Sequence, residues 1–398
     1  GDGSDKFDLT VELSRITIPY LAMISLASLF AGILNSLNRF WVAAAAPILL
    51  NVCLIVALIF FRGDSDESTV RAQAIAVTVS GVLQLAWVAW AAKRAGMAIR
   101  LRRPRLTGPV RQMLRLILPA AVGAGAVQIN LLVSTLLAAR FLPEGSISYL
   151  YYADRLIQLP LALIGIGVGT ALLPLISRQL AKGDAGAALH NQNRAMELAL
   201  LLAVPAAAGL AACALPIVEG LLHQGAFTSA DAVATAQTLA AFAAGLPAFV
   251  LVKILTPGFH ARSDTNTPVR IAMVAMVANL VLKLVLMWDL AYVGLAHSTS
   301  VAAWLNAGLL YATLKRREHF RIDPRLVGVT LKILAATCLS CAVVLLLNPF
   351  AMDLIGGGFV GRAQGLTILV ASGGLTYFAM AWLLGAVRVE ELRKQLRR

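Results

Sequence analysis

The sequence predicts an all-α polytopic membrane protein with about eleven spanning helices, on three observations: composition, the spacing of its apolar stretches and the placement of its basic residues. Hydrophobic residues make up 59% of the 398 positions and charged residues 14%, with a mean hydropathy of +0.79. That is too little charge to cover a water-soluble domain of this length. A bilayer core of ~30 Å is crossed by roughly 20 apolar residues in a helix. Stretches of that kind run over 16–34, 41–61, 70–92, 116–141, 150–176, 196–215, 232–256, 269–290, 293–313, 326–347 and 363–384. They lack the strict alternation of a lipid-facing β-strand, so helices are the spanning element.

The net charge of +14 is distributed in a way that argues against nucleic-acid binding. If the spans alternate in direction, 24 of the 34 basic residues fall on one side. They include Arg39, the run from Lys93 to Arg115, the cluster Lys315, Arg316 and Arg317, and the C-terminal tail. The Lys/Arg-rich side is the cytoplasmic one, which puts the C-terminus inside and the N-terminus outside. Acids favour the outer side, among them Asp2, Asp5, Asp8, Glu12, Asp64, Asp66 and Glu67. Cys53, Cys213, Cys338 and Cys341 lie within expected spans, and the five histidines are scattered. Cys338 and Cys341 form a CxxC, but without a second pair or a nearby His, the histidines have no metal-ligand spacing, and no phosphate-binding loop or paired-carboxylate motif is present, so no metal, cofactor or catalytic residue is expected.

The organisation expected along the chain is three spans in 1–92, a cationic cytoplasmic linker over 93–115, six spans in 116–315, two further spans in 326–384 and a basic tail over 385–398. The linker contains Pro104, Gly108 and Pro109, and it meets anionic lipid headgroups at the cytoplasmic face. A repeat is visible at an offset of six spans: Pro47 follows a short polar turn after the first span, as Pro268 follows one after the seventh. Parallel halves related about the membrane normal are a transporter design. An outer N-terminus without a preceding signal segment leads to the expectation of an odd number of spans upstream of residue 1, and the six-span halves make that number three.

Ionisable side chains inside a bilayer are costly, roughly 2.5–3.5 kcal/mol each on insertion scales, and point to function. The fifth span opens with the densest cluster, from Ser148 to Pro160. Ser148, Arg155 and Gln158 fall near one helical face, and Asp154 lies about 100° from Arg155 and within reach of its guanidinium. An arginine fork in a membrane cavity grips phosphate or pyrophosphate. The other reading is an Asp–Arg pair that pins the helix at the interface. Lys253, a turn before Pro257, either faces the same cavity or reaches the headgroups. Lys283 is mid-span and is expected to point inward. Gln128, Asn130 and Ser134 form a polar stripe on the fourth span.

Arg15-Ile-Thr-Ile-Pro-Tyr-Leu, Gly32-Ile-Leu-Asn-Ser-Leu-Asn-Arg-Phe, Ala46-Pro-Ile-Leu-Leu-Asn51, Tyr151-Tyr-Ala-Asp-Arg155, Gly169-Thr-Ala-Leu-Leu-Pro174 and Pro257-Gly-Phe-His-Ala-Arg-Ser-Asp-Thr-Asn-Thr-Pro268 together resemble the MurJ (MviN) lipid II flippases, a family of the MOP exporter superfamily. The resemblance covers essentially the whole chain in order and spacing. It implies a two-lobe transporter fold with two extra C-terminal helices, here without the first three helices of the first lobe. It implies translocation of undecaprenyl-pyrophosphate-linked lipid II across the inner membrane for cell-wall synthesis, by a monomer and without enzymatic chemistry. Arg155 matches the family's cavity arginine and Asp154 the acid before it, while Gln158 stands where many members carry Glu. The resemblance also maps a cation site onto Ser134, Asn279, Lys283 and Thr299, where the ammonium of Lys283 stands in for the ion. The alternatives are an exporter of another polyprenyl-linked polysaccharide, an intramembrane polyprenyl-phosphate enzyme, and a membrane scaffold.

Overall fold

The computed structural model describes residues 2–37, 39–97 and 131–386, with positions 108, 111 and 128 besides, and side chains from residue 7 onward except 166–171. Most of the linker 93–115, of the span 116–141 and of the tail 385–398 lies outside the described residues, as does Asn130. The described residues are helical, with no strand among them. They form two compact units, Gly1–Val110 and Arg111–Arg398.

The first unit consists of α1 (Asp2–Ser36), α2 (Phe40–Phe60) and α3 (Asp66–Arg94). Ser65 starts α3 with a capping box: its hydroxyl accepts from the Ser68 N–H and the Ser68 hydroxyl accepts from the Ser65 N–H. Asp66 and Glu67 in the first turn and Lys93 and Arg94 in the last complement the helix dipole. Polar side chains of α3 then tie it to its neighbours. Thr78 donates to the Ile16 carbonyl of α1 at 2.5 Å, and Trp87 donates to the Val42 carbonyl of α2 at 3.1 Å. Such bonds join helices where no hydrophobic effect can do so.

The second unit contains α4 (Leu131–Phe141), α5 (Ser146–Ala181), α6 (Ala185–Ala212), α7 (Ala214–Leu222), α8 (Ser229–Ala243), α9 (Leu246–His260), α10 (Asn266–Arg316), α11 (Pro324–Ile355) and α12 (Gly358–Leu383). Eight stretches of the described chain are long and apolar enough to cross a membrane, α8 with α9 counting as one of them. One of the eight, α10, is two spans folded back at Ala291, where φ is 46° and ψ −129°. α5, 36 residues long, covers the expected span 150–176, and α4 covers the end of the expected span 116–141, most of which lies outside the described residues. The turn at Ala291 falls between the expected spans 269–290 and 293–313. Gly294 permits it, because a Cβ there would lie 2.3 Å from the Leu286 carbonyl oxygen.

The expected span 232–256 lies within one apolar stretch, Ser229–His260, that is interrupted between α8 and α9 at Ala244 and Gly245. Pro247 has no N–H with which to continue the ladder. The carbonyls freed at the break are met from α10: Ser300 donates to the Ala241 carbonyl at 2.7 Å and the Trp304 indole to the Ala244 carbonyl at 2.9 Å. Carbonyls freed within a membrane span require such partners.

Residue sizes are sorted opposite to the habit of a water-soluble protein. Ala199, Ala203 and Ala207 make a stripe of small buried residues on α6, whereas Leu163 and Leu346 are each 80% exposed and Phe359 is 84% exposed. Small residues let helices approach, and large apolar ones face lipid. The protein is a multi-pass membrane protein.

α11 packs on α12 and on α6, and α12 meets α6 through Tyr377 and Ala381. At one end of the α6–α11 contact Arg194 pairs with both Glu197 and Asp323, and Arg325 reaches Glu197 at 3.3 Å. Buried Asn193 donates to the Arg321 carbonyl and accepts from the Asp323 N–H. Deeper in, the hydroxyl of Tyr377 on α12 donates to the Leu201 carbonyl of α6 at 2.6 Å. Leu201 is four residues before Pro205, so its carbonyl has no intrahelical donor.

Candidate functional site

The fifth span is held in place on its core side. Ala153 and Ile157 are 0% and 2% exposed. Near its start Tyr149 donates to Asp231 of α8 at 2.6 Å and stacks edge-on against Tyr292 at 5.2 Å, next to the turn in α10. Tyr152 meets Phe227 in the same way at 5.8 Å. Asp231 in turn caps α8 with Thr228. These contacts fix the rotation of α5 and determine which residues face outward.

Ser148, Asp154, Arg155 and Gln158 all lie on exposed parts of α5. Arg155 is two residues from both Ala153 and Ile157, about 200° around the helix from each, and so points away from the core. The hydrogen-bond partner described for Asp154 is Gln158. The Asp154 carboxylate accepts from the Gln158 amide at 2.5 Å, and the described ion pairs include none between Asp154 and Arg155. An i,i+4 pair meets along one face of a helix, whereas adjacent residues diverge by about 100°. Gln158 thus meets the acid, and no hydrogen bond or ion pair to the Arg155 guanidinium is found among the described residues.

Lys253 is exposed on α9 and lies over Gly165 of α5, where a Cβ would come within 2.7 Å of its Cδ and 3.0 Å of its Nζ. Gly165 is seven residues beyond Gln158 on nearly the same face, and about 15 Å along the axis from Arg155. Lys253 and Arg155 therefore lie at different levels along α5, separated by the apolar residues 159–164.

The ion-site residues are brought together in part. Lys283 is 2% exposed and its Nζ lies 2.5 Å from the Ser134 hydroxyl of α4. Asn279, one turn earlier on α10, is 4% exposed. Thr299 donates to the Leu295 carbonyl of its own helix at 3.0 Å. Lys332 does not point inward: its Nζ lies 3.5 Å from the Gly385 carbonyl, beyond the end of α12.

The motif Pro257–Pro268 forms a structural turn. Ser263 takes a left-handed φ of 60°. Arg262 donates to the Gly258 carbonyl at 2.7 Å and to the His319 carbonyl at 3.4 Å. Asp264 accepts from the Thr267 N–H at 3.0 Å and from Arg317 at 2.6 Å. The motif thereby joins the α9–α10 turn to the segment leading into α11. Hydrogen bonds from Thr267, then the Arg317 guanidinium, hold the Asp264 carboxyl well below the usual carboxylate range. Its contribution to stability is present above the unfolded carboxylate value of about 3.9 and is lost as pH falls through the lower folded value. Asp264→Asn is therefore expected to lower the melting temperature in detergent at pH 7 and to narrow its gap from the unaltered protein as the pH falls toward about 3. A gap that stays constant over that range would contradict the pairing.

The sequence matches the family described as lipid II flippase MurJ over residues 1–361. The probable lipid II flippase MurJ of Rhizobium tropici is 40% identical over 100% of this chain and 75% of its own length.

The chain belongs to the lipid II flippase MurJ family.

The corresponding protein of Rhizobium meliloti strain 1021 is 40% identical with the same two coverages, 100% and 75%. The lipid II flippase MurJ of Burkholderia cenocepacia is 32% identical over 95% of this chain and 74% of its own. The MurJ fold is present as well. A solved structure titled lipid II flippase MurJ, inward closed conformation, superposes with a TM-score of 0.74 at 24% identity, covering 97% of this chain and 75% of that one. Members of the MurJ family are named as transporters of a lipid, not as enzymes.

Sequence reasoning missed the Arg194–Glu197–Asp323–Arg325 network, Asn193 and Tyr377, since nothing local in the sequence relates α6 to residues more than a hundred positions away. One signal was available: Pro205 within an apolar span announces an orphaned carbonyl at Leu201.

Proposed function

We propose that this protein moves lipid II, the undecaprenyl-pyrophosphate-linked precursor of peptidoglycan, from the cytoplasmic to the outer leaflet of the bacterial inner membrane. It works by alternating access, with no covalent step on the substrate. The observation that carries this reading is alignment of the whole of this chain, at 40% identity, with 75% of the length of proteins named probable lipid II flippases. Arg155 is the pyrophosphate grip, and its exposed side chain beside a Gln158-bound Asp154 supports that role. Ser148 and Gln158 border it, and Lys253 offers a second cationic group at another level of α5. Growth of a flippase-depleted strain when this protein is supplied tests the reading; failure to grow with the protein in the membrane would contradict it.

Two further expectations belong to the same proposal. The Lys/Arg-rich side, the C-terminus included, faces the cytoplasm. A cysteine at Gly108 is then modified by an impermeant reagent only from the cytoplasm, and one at Asp64, next to the Ser65 cap, only from outside; the reverse labelling would overturn the orientation. In the later lobe the Lys283 ammonium fills the place of a bound cation, supported by its 2.5 Å contact with Ser134. Transport is then indifferent to exchanging sodium for potassium, and Lys283→Ala is more damaging than Lys283→Arg. A clear sodium dependence would remove this assignment.

A further inference from the structure

The first unit carries a cavity that no part of the transport reading uses. Its volume is about 330 Å³, within the ~300–1,000 Å³ of small-molecule sites. Arg39, Trp41, Trp87, Trp90 and Arg94 are among the residues lining it. Arg39 precedes α2 and Trp41 lies in the first turn of that helix, while Trp87, Trp90 and Arg94 follow one another along one face of the end of α3.

The tryptophans form a wall. The Trp41 and Trp87 rings are 6.0 Å apart and nearly perpendicular, and those of Trp87 and Trp90 are 5.9 Å apart. Trp87 is fixed by its bond to the Val42 carbonyl. Trp41 and Trp90 are 66% and 48% exposed, and neither indole N–H is among the described hydrogen-bond donors. The Arg94 guanidinium lies 4.1 Å from the Trp90 ring centroid.

The charge around the cavity is unbalanced. The ion pair described in this unit, Arg71 with Glu12, involves the start of α3, about 35 Å along the helix from Arg94. The acids of residues 1–97 are Asp2, Asp5, Asp8, Glu12, Asp64, Asp66 and Glu67. All of them sit in the first part of α1 or around the junction of α2 with α3, away from the cavity end. Arg39 and Arg94 therefore have no carboxylate among the described residues to neutralise them.

We propose that this cavity holds the headgroup of an anionic phospholipid. The phosphate accepts from Arg39 and Arg94, the Trp41 and Trp90 indoles donate toward the ester region, and the first part of an acyl chain lies against the rings. A soluble anion makes no use of an aromatic wall, and a zwitterionic lipid brings its own cation to two arginines that have no acid partner among the described residues. The volume fits a headgroup and the start of one chain, leaving the remainder in the bilayer beside the exposed apolar faces of α2 and α3.

The test is tryptophan quenching in phosphatidylcholine vesicles that contain equal mole fractions of either phosphatidylglycerol or phosphatidylethanolamine, brominated on the acyl chain. The expected result is several-fold more efficient quenching by the phosphatidylglycerol. Arg39→Gln with Arg94→Gln brings the two lipids to equality. Lys315→Gln with Arg316→Gln, which removes the same charge elsewhere, leaves the preference intact and serves as the folding and surface-potential control. Equal quenching by both lipids in the unaltered protein overturns the proposal. So does a preference that survives loss of Arg39 and Arg94, or one that falls equally in the control pair.

Discussion

Arg155→Ala is expected to abolish growth of a flippase-depleted strain while the protein still reaches the membrane. The side chain points away from the buried face of Ala153 and Ile157, so truncating it opens no cavity in the core. Its loss removes charge-assisted bonds of about 1.5–3 kcal/mol each, a factor of roughly ten to a hundred in affinity per bond. Arg155→Lys is expected to rescue poorly, because an ammonium lacks the planar fork that meets two phosphate oxygens together. Gln158→Glu gives a milder and informative contrast, since it replaces the donor that now holds Asp154 with a second carboxylate next to it. Normal growth with Arg155→Ala would remove the pyrophosphate grip from the account.

The second large effect is expected at the seam between α6 and α12. Tyr377→Phe removes the hydroxyl that meets the Leu201 carbonyl, and Tyr377 is only 3% exposed. Leaving a buried carbonyl without a donor costs about 1–3 kcal/mol. The cause is Pro205, so the cost should depend on it. In a Pro205→Ala background residue 205 regains its N–H, Leu201 regains an intrahelical partner, and Tyr377→Phe should cost little. A double-mutant cycle on thermal unfolding in detergent reads this coupling directly. Additive effects of the two substitutions would show that the tyrosine and the proline act independently.

The sequence made the spans legible because each obeys a one-dimensional rule, a run of apolar residues between charged turns. It even located the turn at Ala291, where two spans meet with almost no loop. The interruption at Ala244 and Gly245 lies inside one such run. Gly245 and Pro247 were visible, but the apolar run continues across them. What stabilises the break is Ser300 and Trp304, more than fifty residues away. The site was legible as a list of residues and less so as a set of pairs. Asp154 and Arg155 are adjacent in sequence and diverge in space, while Gln158 is the neighbour one turn on. Lys253 was open between the cavity of Arg155 and the headgroups, and its side chain lies over Gly165. The Pro257–Pro268 motif carried the family resemblance, yet its Arg262 and Asp264 serve the turn into α11.

The leaflet distribution of lipid II tests the central claim most directly. In flippase-depleted cells supplied with this protein, an impermeant enzyme that cleaves lipid II would be added from outside and the cleaved fraction measured. The account predicts that the protein restores the cleavable outer pool and that Arg155→Ala, present at the same level, does not. Lipid II that stays protected from the enzyme in both cases would contradict it.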